Sequence, residues 1–208
     1  MGVTAIVPAY NEEATVGRVI EALLDCPAVD DVLVVSDGST DRTAEVARCY
    51  PVRVLELPEN RGKGGAMKAG VENTTNDVVV FIDADLVGLK PEHIANLIEP
   101  VRSGRADMSV GLFEDGRFAT DLAQKIAPFL SGQRAVRRSL FQEIPQLEHT
   151  RYGIEVALSR YADRHEIPVE IVHLHDLSQV MKEEKRGVVK GLCARMRMYW
   201  EIMKWARY

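Results

Sequence analysis

Residues 78–85 read Val78-Val79-Val80-Phe81-Ile82-Asp83-Ala84-Asp85, an apolar run that ends in two carboxylates separated by one alanine. Consecutive β-branched and aromatic residues predict a strand buried on both faces, as in parallel sheets covered by helices. Acids at the exit of such a strand stand at its carboxyl end, where open α/β sheets hold their ligands. Two carboxylates this close repel each other unless a cation neutralises them. Mg²⁺ or Mn²⁺, held by one or two carboxylates together with substrate phosphates, fits the pattern. A solvated turn is the alternative, and its place directly after a buried strand makes it the poorer reading.

Upstream, strand and helix signals alternate. Residues 3–7 form a short β-branched run closed by Pro8, and Asn11 is expected to cap a helix. Glu12 and Glu13 would lie in its first turn, with Val16, Val19, Ile20, Leu23 and Leu24 as its apolar stripe. Residues 32–35 predict a second strand, followed by the turn Ser36-Asp37-Gly38-Ser39-Thr40-Asp41 and a helix over 41–50. Residues 52–55 predict a third strand, after which the glycine loop Gly62-Lys63-Gly64-Gly65 leads into a helix ending near Asn73. The βαβαβαβ order predicts an α/β fold with a mostly parallel central sheet and helices on both faces.

Downstream the rhythm is less regular. A helix is expected over 92–101, a strand over 108–112, a helix over 152–161 and a strand over 169–173. Residues 114–138 mix glycines, charges and a helical pattern, and read as a substrate-side insertion. Residues 182–208 carry Val189, Leu192, Cys193, Met196, Tyr199, Trp200 and Met203 at helical spacing, with Lys190, Arg195, Arg197, Lys204 and Arg207 around them. This basic amphipathic C-terminal helix packs on the sheet, packs on a second copy in a homodimer, or lies at a membrane surface.

Composition narrows the class. The 208 residues carry a net charge of −5, which excludes a molecule that binds nucleic acid through its overall charge. Cys26, Cys49 and Cys193 are far apart, as expected of reduced thiols. The opening MGVTAIVPAYNEE lacks a basic segment, and no apolar run approaches the ~20 residues of a membrane helix. The expectation is a cytoplasmic protein of one domain, 1–208, whose membrane contact, if it has any, is peripheral at the inner face.

Two further signals point to the same sheet edge. Arg61 and Lys63 stand among glycines before a helix, whose free N–H groups suit a diphosphate. The spacing is not that of a Walker A loop, and no GxGxxG follows the first strand, which counts against a dinucleotide dehydrogenase. Asp37 after the second strand, with Pro8, Tyr10 and Glu12 after the first, would offer acceptors and a flat surface to a nucleobase and ribose.

Together VPAYNEE, VVSDGSTDRT, RGKGGAMKAG and FIDADL resemble, in order and spacing, the GT-A fold glycosyltransferases of the family 2 type. The resemblance implies a Rossmann-like nucleotide-sugar-binding sandwich, with residues 1–90 as the nucleotide-sugar half, 91–180 as the acceptor half and 181–208 as the C-terminal helix. It implies nucleoside contacts at Pro8, Tyr10, Glu12 and Asp37, a diphosphate contact at Lys63, and a nucleotide-sugar and metal site at Asp83 and Asp85. Where the family commonly carries two acids before the Gly-Ser pair, this chain has Ser36 before Asp37.

In the second half, Leu130-Ser131-Gly132-Gln133-Arg134-Ala135 and Arg151-Tyr152-Gly153-Ile154-Glu155 resemble acceptor-side segments of the retaining glucosyl-3-phosphoglycerate synthases. That likeness implies acceptor contacts at Gly132, Arg134 and Tyr152, and puts Glu155 beside the reacting sugar. A later metal-site histidine is matched by position near Gln179, with His173 and His175 a few residues earlier. Polyprenyl-phosphate mannosyl- and glucosyltransferases share the first half equally well.

The expected reaction is transfer of a hexose from a UDP- or GDP-sugar to a phosphorylated acceptor, with Mg²⁺ or Mn²⁺ at Asp85. The arginines Arg134, Arg137 and Arg138 would hold the acceptor's anionic group. No acid pair typical of inverting bases is visible, which favours an anionic acceptor or retaining chemistry. The competing class is a protein that binds nucleotide sugars without turnover, against which the intact Asp83–Asp85 pair argues.

Overall fold

Strand β1 (Val3–Ala9) is buried along both faces and pairs in parallel with β2 (Asp31–Asp37) on one side and β4 (Val78–Phe81) on the other. β3 (Arg53–Leu57) continues the parallel sheet beyond β2. The structure is a computed structural model and describes residues 1–113, 131–145 and 153–179. The expected C-terminal helix and Tyr152 lie outside the described residues.

The central sheet has seven strands in the order β3-β2-β1-β4-β7-β6-β8, with β6 at Met108–Phe113, β7 at Arg134–Arg137 and β8 at Val169–Leu174. Every neighbouring pair is parallel except those of β7, which runs antiparallel to both β4 and β6. A second ribbon pairs β5 (Leu86–Val87) with β9 (Ser178–Gln179). The expected α/β class with a mostly parallel sheet is therefore the observed one.

Alternation along the strands sends side chains into two apolar layers. Val3, Ala5, Val7, Val34, Val78, Val80 and Ile82 meet α1 (Val16–Leu24) and α4 (Pro91–Arg102). Ile6, Leu33, Val35, Val79 and Phe81 meet α3 (Gly62–Glu72), α5 (Arg138–Glu143) and α6 (Ile154–Arg164). Helix α2 (Thr43–Arg48) packs Ala47 into the first layer. Gly70 lets α3 lie close on the sheet, because a Cβ there would come within 2.5 Å of Ile6 Cγ2.

Three expectations are corrected. Asn11 does not cap α1: it takes a left-handed conformation at φ 57°, and its side-chain oxygen accepts from the Thr40 N–H at 2.8 Å. Bonding across to the neighbouring loop wins over capping, so the helix starts at Val16 and leaves Glu12 and Glu13 in the loop. The glycine loop is instead the first turn of α3, which begins at Gly62. Within the segment read as an insertion lies β7, a strand too short and too rich in arginine to show a period.

Phe81 is fully buried, with its ring centroid 5.1 Å from that of Phe141. Phe81→Ala is expected to lower unfolding stability by about 3–5 kcal/mol in a urea titration. A loss under about 1 kcal/mol would show that this layer does not tie α5 to the sheet.

Candidate active site

The carboxyl ends of β1, β2, β3 and β4 lie along one edge of the sheet. Because β7 runs the other way, its starting end reaches the same edge and brings Ser131, Gly132 and Gln133 there. The start of α6 adds Glu155.

On the β1–β2 side, two loops are laced together through backbone donors. The Asn11 N–H donates to Ser39 Oγ at 3.2 Å, the Glu12 N–H to Thr43 Oγ1 at 2.8 Å, and the Glu13 N–H to Asp41 Oδ2 at 3.1 Å. Burial works to raise the Asp41 carboxyl, but hydrogen bonds from Thr43 and Glu13 outweigh it and hold the group below its ordinary range. Pro8 and Glu12 are half-buried beside these loops and Tyr10 is exposed.

Asp37 ends β2 and is buried; its Oδ1 accepts the Arg61 N–H at 2.7 Å, and its carbonyl accepts from Asn60 Nδ2 at 3.1 Å. Gly38 makes the turn at φ +64°, where a Cβ would sit 2.6 Å from the Asn60 nitrogen. Asp37 thereby fixes the segment that launches α3 and places Lys63 in its first turn.

Lys63 Nζ stands between two carboxylates, 2.6 Å from Asp83 Oδ1 and 2.7 Å from Glu155 Oε1. Lys63, Asp83 and Glu155 side chains are 24%, 16% and 13% exposed, so this cluster is reachable but largely dry. Burial disfavours the ammonium, yet the charges of Asp83 and Glu155 outweigh it and raise the lysine pKa above the ordinary value. The other Asp83 oxygen, Oδ2, accepts from Gln133 Nε2 at 3.0 Å. Gly132 closes over the cluster; a Cβ on it would collide with the Lys63 ammonium and lie 2.5 Å from Asp83 Oδ2.

Lys63, Asp83, Gly132 and Glu155 are thus brought into one cluster, from three separate expectations about diphosphate, metal and acceptor. Asp85 is half-buried just beyond, next to β5, and the β5–β9 register sets Gln179 opposite Leu86. His175 is exposed in the turn after β8. Among the described residues no group of three or more His, Cys, Asp and Glu gathers to hold a metal without outside ligands.

Arg134 is corrected from an acceptor-facing arginine to an interior one: it is fully buried in β7. Arg137 pairs with Asp107 at 2.6 Å and Arg138 donates to the Asn76 carbonyl at 3.0 Å, so the three arginines do not form one anion clamp. Gln133 was not singled out from sequence, although it directly follows Gly132; only the antiparallel course of β7 brings its amide to Asp83.

Residues 4–165 match the family model described as glycosyl transferase family 2, and the chain belongs to that family. Among curated proteins, 4,4'-diaponeurosporenoate glycosyltransferase of Staphylococcus aureus is 35% identical over 100 residues, which is 46% of this chain. The chain spans 27% of the length of that relative. Among solved structures, glucosyl-3-phosphoglycerate synthase from Mycobacterium tuberculosis in complex with phosphoglyceric acid superposes with a TM-score of 0.78 at 25% identity, covering 98% of this chain and 79% of that one. The same synthase in complex with Mn²⁺ and uridine-diphosphate-glucose gives 0.77 at 26% identity, covering 97% and 77%.

Removing Lys63 leaves two carboxylates facing each other. Lys63→Met is expected to cost about 2–3 kcal/mol of unfolding stability, below the roughly 3–5 for breaking a fully buried pair. Adding Glu155→Gln should recover part of that loss in a double-mutant cycle. Strictly additive losses would mean that Lys63 and Glu155 do not interact.

Proposed function

We propose that the chain is a metal-dependent glycosyltransferase that moves a hexose from a UDP- or GDP-sugar to a phosphorylated acceptor, as a glucosyl-3-phosphoglycerate synthase does. The observation that carries this reading is the meeting of Lys63, Asp83 and Glu155 at the edge where the nucleoside-side loops also end. The structural neighbours' complexes with Mn²⁺, uridine-diphosphate-glucose and phosphoglyceric acid support it. The sheet running unbroken through residues 1–90 and 91–179 supports a single domain.

In this reading Pro8, Tyr10, Glu12 and Asp37 line the nucleoside end. Lys63 keeps its charge because Asp83 and Glu155 raise it, and that charge stands where negative charge builds on the departing diphosphate. Glu155 lies beside it to steady the sugar as the anomeric carbon gains oxocarbenium character. Gly132, lacking a side chain, lets the segment expected to meet the acceptor come close to Asp83 and Lys63.

The donor set suits a hard cation completed by substrate phosphates: Asp85 and Asp83 supply carboxylates, and Gln179 or His175 a third ligand. When bound, Mg²⁺ or Mn²⁺ would supply Lewis-acid stabilisation of the leaving group. Among the described residues no helix is long and apolar enough to cross a membrane.

The test is incubation with UDP-glucose, Mn²⁺ and 3-phosphoglycerate, followed by mass spectrometry of the products. A glucosylated acceptor is expected, together with its loss in excess chelator and a fall of at least about 100-fold in Asp85→Ala. Undiminished transfer in chelator would remove the metal from the reaction. No turnover with any nucleotide sugar, alongside tight nucleotide binding, would make the protein a binder.

A further inference from the structure

Arg134 takes a permanent positive charge into the middle of the sheet. β7 pairs it with Phe81 on one side and Val110 on the other, and its side chain is fully buried. It shares a strand face with Val136, which packs in the layer of α3 and α6. There Nη1 donates to Ser159 Oγ at 2.9 Å, while Nε donates to the Ser131 carbonyl at 2.9 Å. Ser159 lies one helical turn beyond Glu155 on the same side of α6. The arginine therefore fastens two pieces of the site at once: the segment that carries Gly132 and Gln133, and the helix that carries Glu155.

Its charge points the same way. Burial pushes the guanidinium pKa down to about 10, and the Glu155 carboxylate is the charge that resists this fall. A charge so deep in the protein is costly unless an opposite one answers it. Among the described residues, Lys63 and Arg134 bring positive charge to the cluster and Asp83 and Glu155 negative charge. Lys63 approaches Glu155 from the α3 side and Arg134 acts on it from within the sheet.

We propose that Arg134 is a positioning residue that, through its charge and its bond to Ser159, holds Glu155 in place against Lys63. For catalysis the proposal rests on the glycosyltransferase reading of the site; for the ion pair it does not. Its role is to keep Glu155 seated when a diphosphate draws on the charge of Lys63.

The test separates charge from hydrogen bonding. Arg134→Lys keeps the charge, and Arg134→Gln keeps an amide donor without charge. In ¹H–¹⁵N spectra of the lysine ammonium groups of the full chain, the Lys63 cross-peak is assigned by its loss in Lys63→Met. A slowly exchanging Lys63 cross-peak is expected in the wild type and in Arg134→Lys, and none in Arg134→Gln. Its survival in Arg134→Gln, its loss in both variants, or its absence from the wild type would each overturn the proposal.

Should Arg134→Gln not fold, Ser159→Ala cuts the link to α6 alone and is expected to broaden the same signal; an unchanged signal overturns the proposal. In a second arm, release of UDP from UDP-glucose with Mn²⁺ is expected to lose about tenfold in kcat in Arg134→Gln, with KM little changed, and to recover in Arg134→Lys. A wild type that releases no UDP sinks the glycosyltransferase reading, while the spectra still decide the ion pair.

Discussion

The ammonium of Lys63 between the carboxylates of Asp83 and Glu155 is the interaction on which the arrangement of the site depends. Its three members come from the start of α3, the exit of β4 and the start of α6, elements that the chain visits far apart. Two carboxylates at the lip of a largely dry cleft would push these elements apart. A shared cation converts that repulsion into a tie and lets the edge close. The same tie requires Gly132, since any side chain there would enter the space of the ion pair.

Direction of one strand accounts for much of the rest. Six strands of the central sheet run alike, and their carboxyl ends gather the loops after β1, β2, β3 and β4. The reversed β7 contributes its beginning to the same edge, so Gly132 and Gln133 come up against Asp83. Behind them Arg134 returns to the interior, and the step from a lined cleft to a buried charge takes only two residues.

Much of the first half was legible because each apolar run is followed at once by the residues proposed for the site: Pro8 and Tyr10 after β1, Asp37 after β2, Asp83 after β4. Local order and chemistry coincide there. Asn11 misled because the same side chain that caps helices also bonds across loops, and the contact with Thr40 comes from a separate part of the chain. β7 was hidden because its four residues begin and end with arginine and show no alternation. Arg134 was read as an acceptor-holding cation for the same reason: nothing local announces that its neighbours will be Phe81 and Val110. Gln133 depended on both facts.

The place of β7 also sets an order of assembly. The strands β3, β2, β1 and β4 run parallel and join through successive crossovers, and all of their residues lie before residue 82. Within the sheet, β6 and β8 are hydrogen-bonded to that unit through β7, which the chain supplies later than β6. Until β7 arrives, β4 presents an open, wholly apolar edge, and β6 has no partner on that side. Closing the sheet is thus a non-local, slow kind of event, and the nascent chain emerging from the ribosome carries a sticky seam until residue 137 is free to dock.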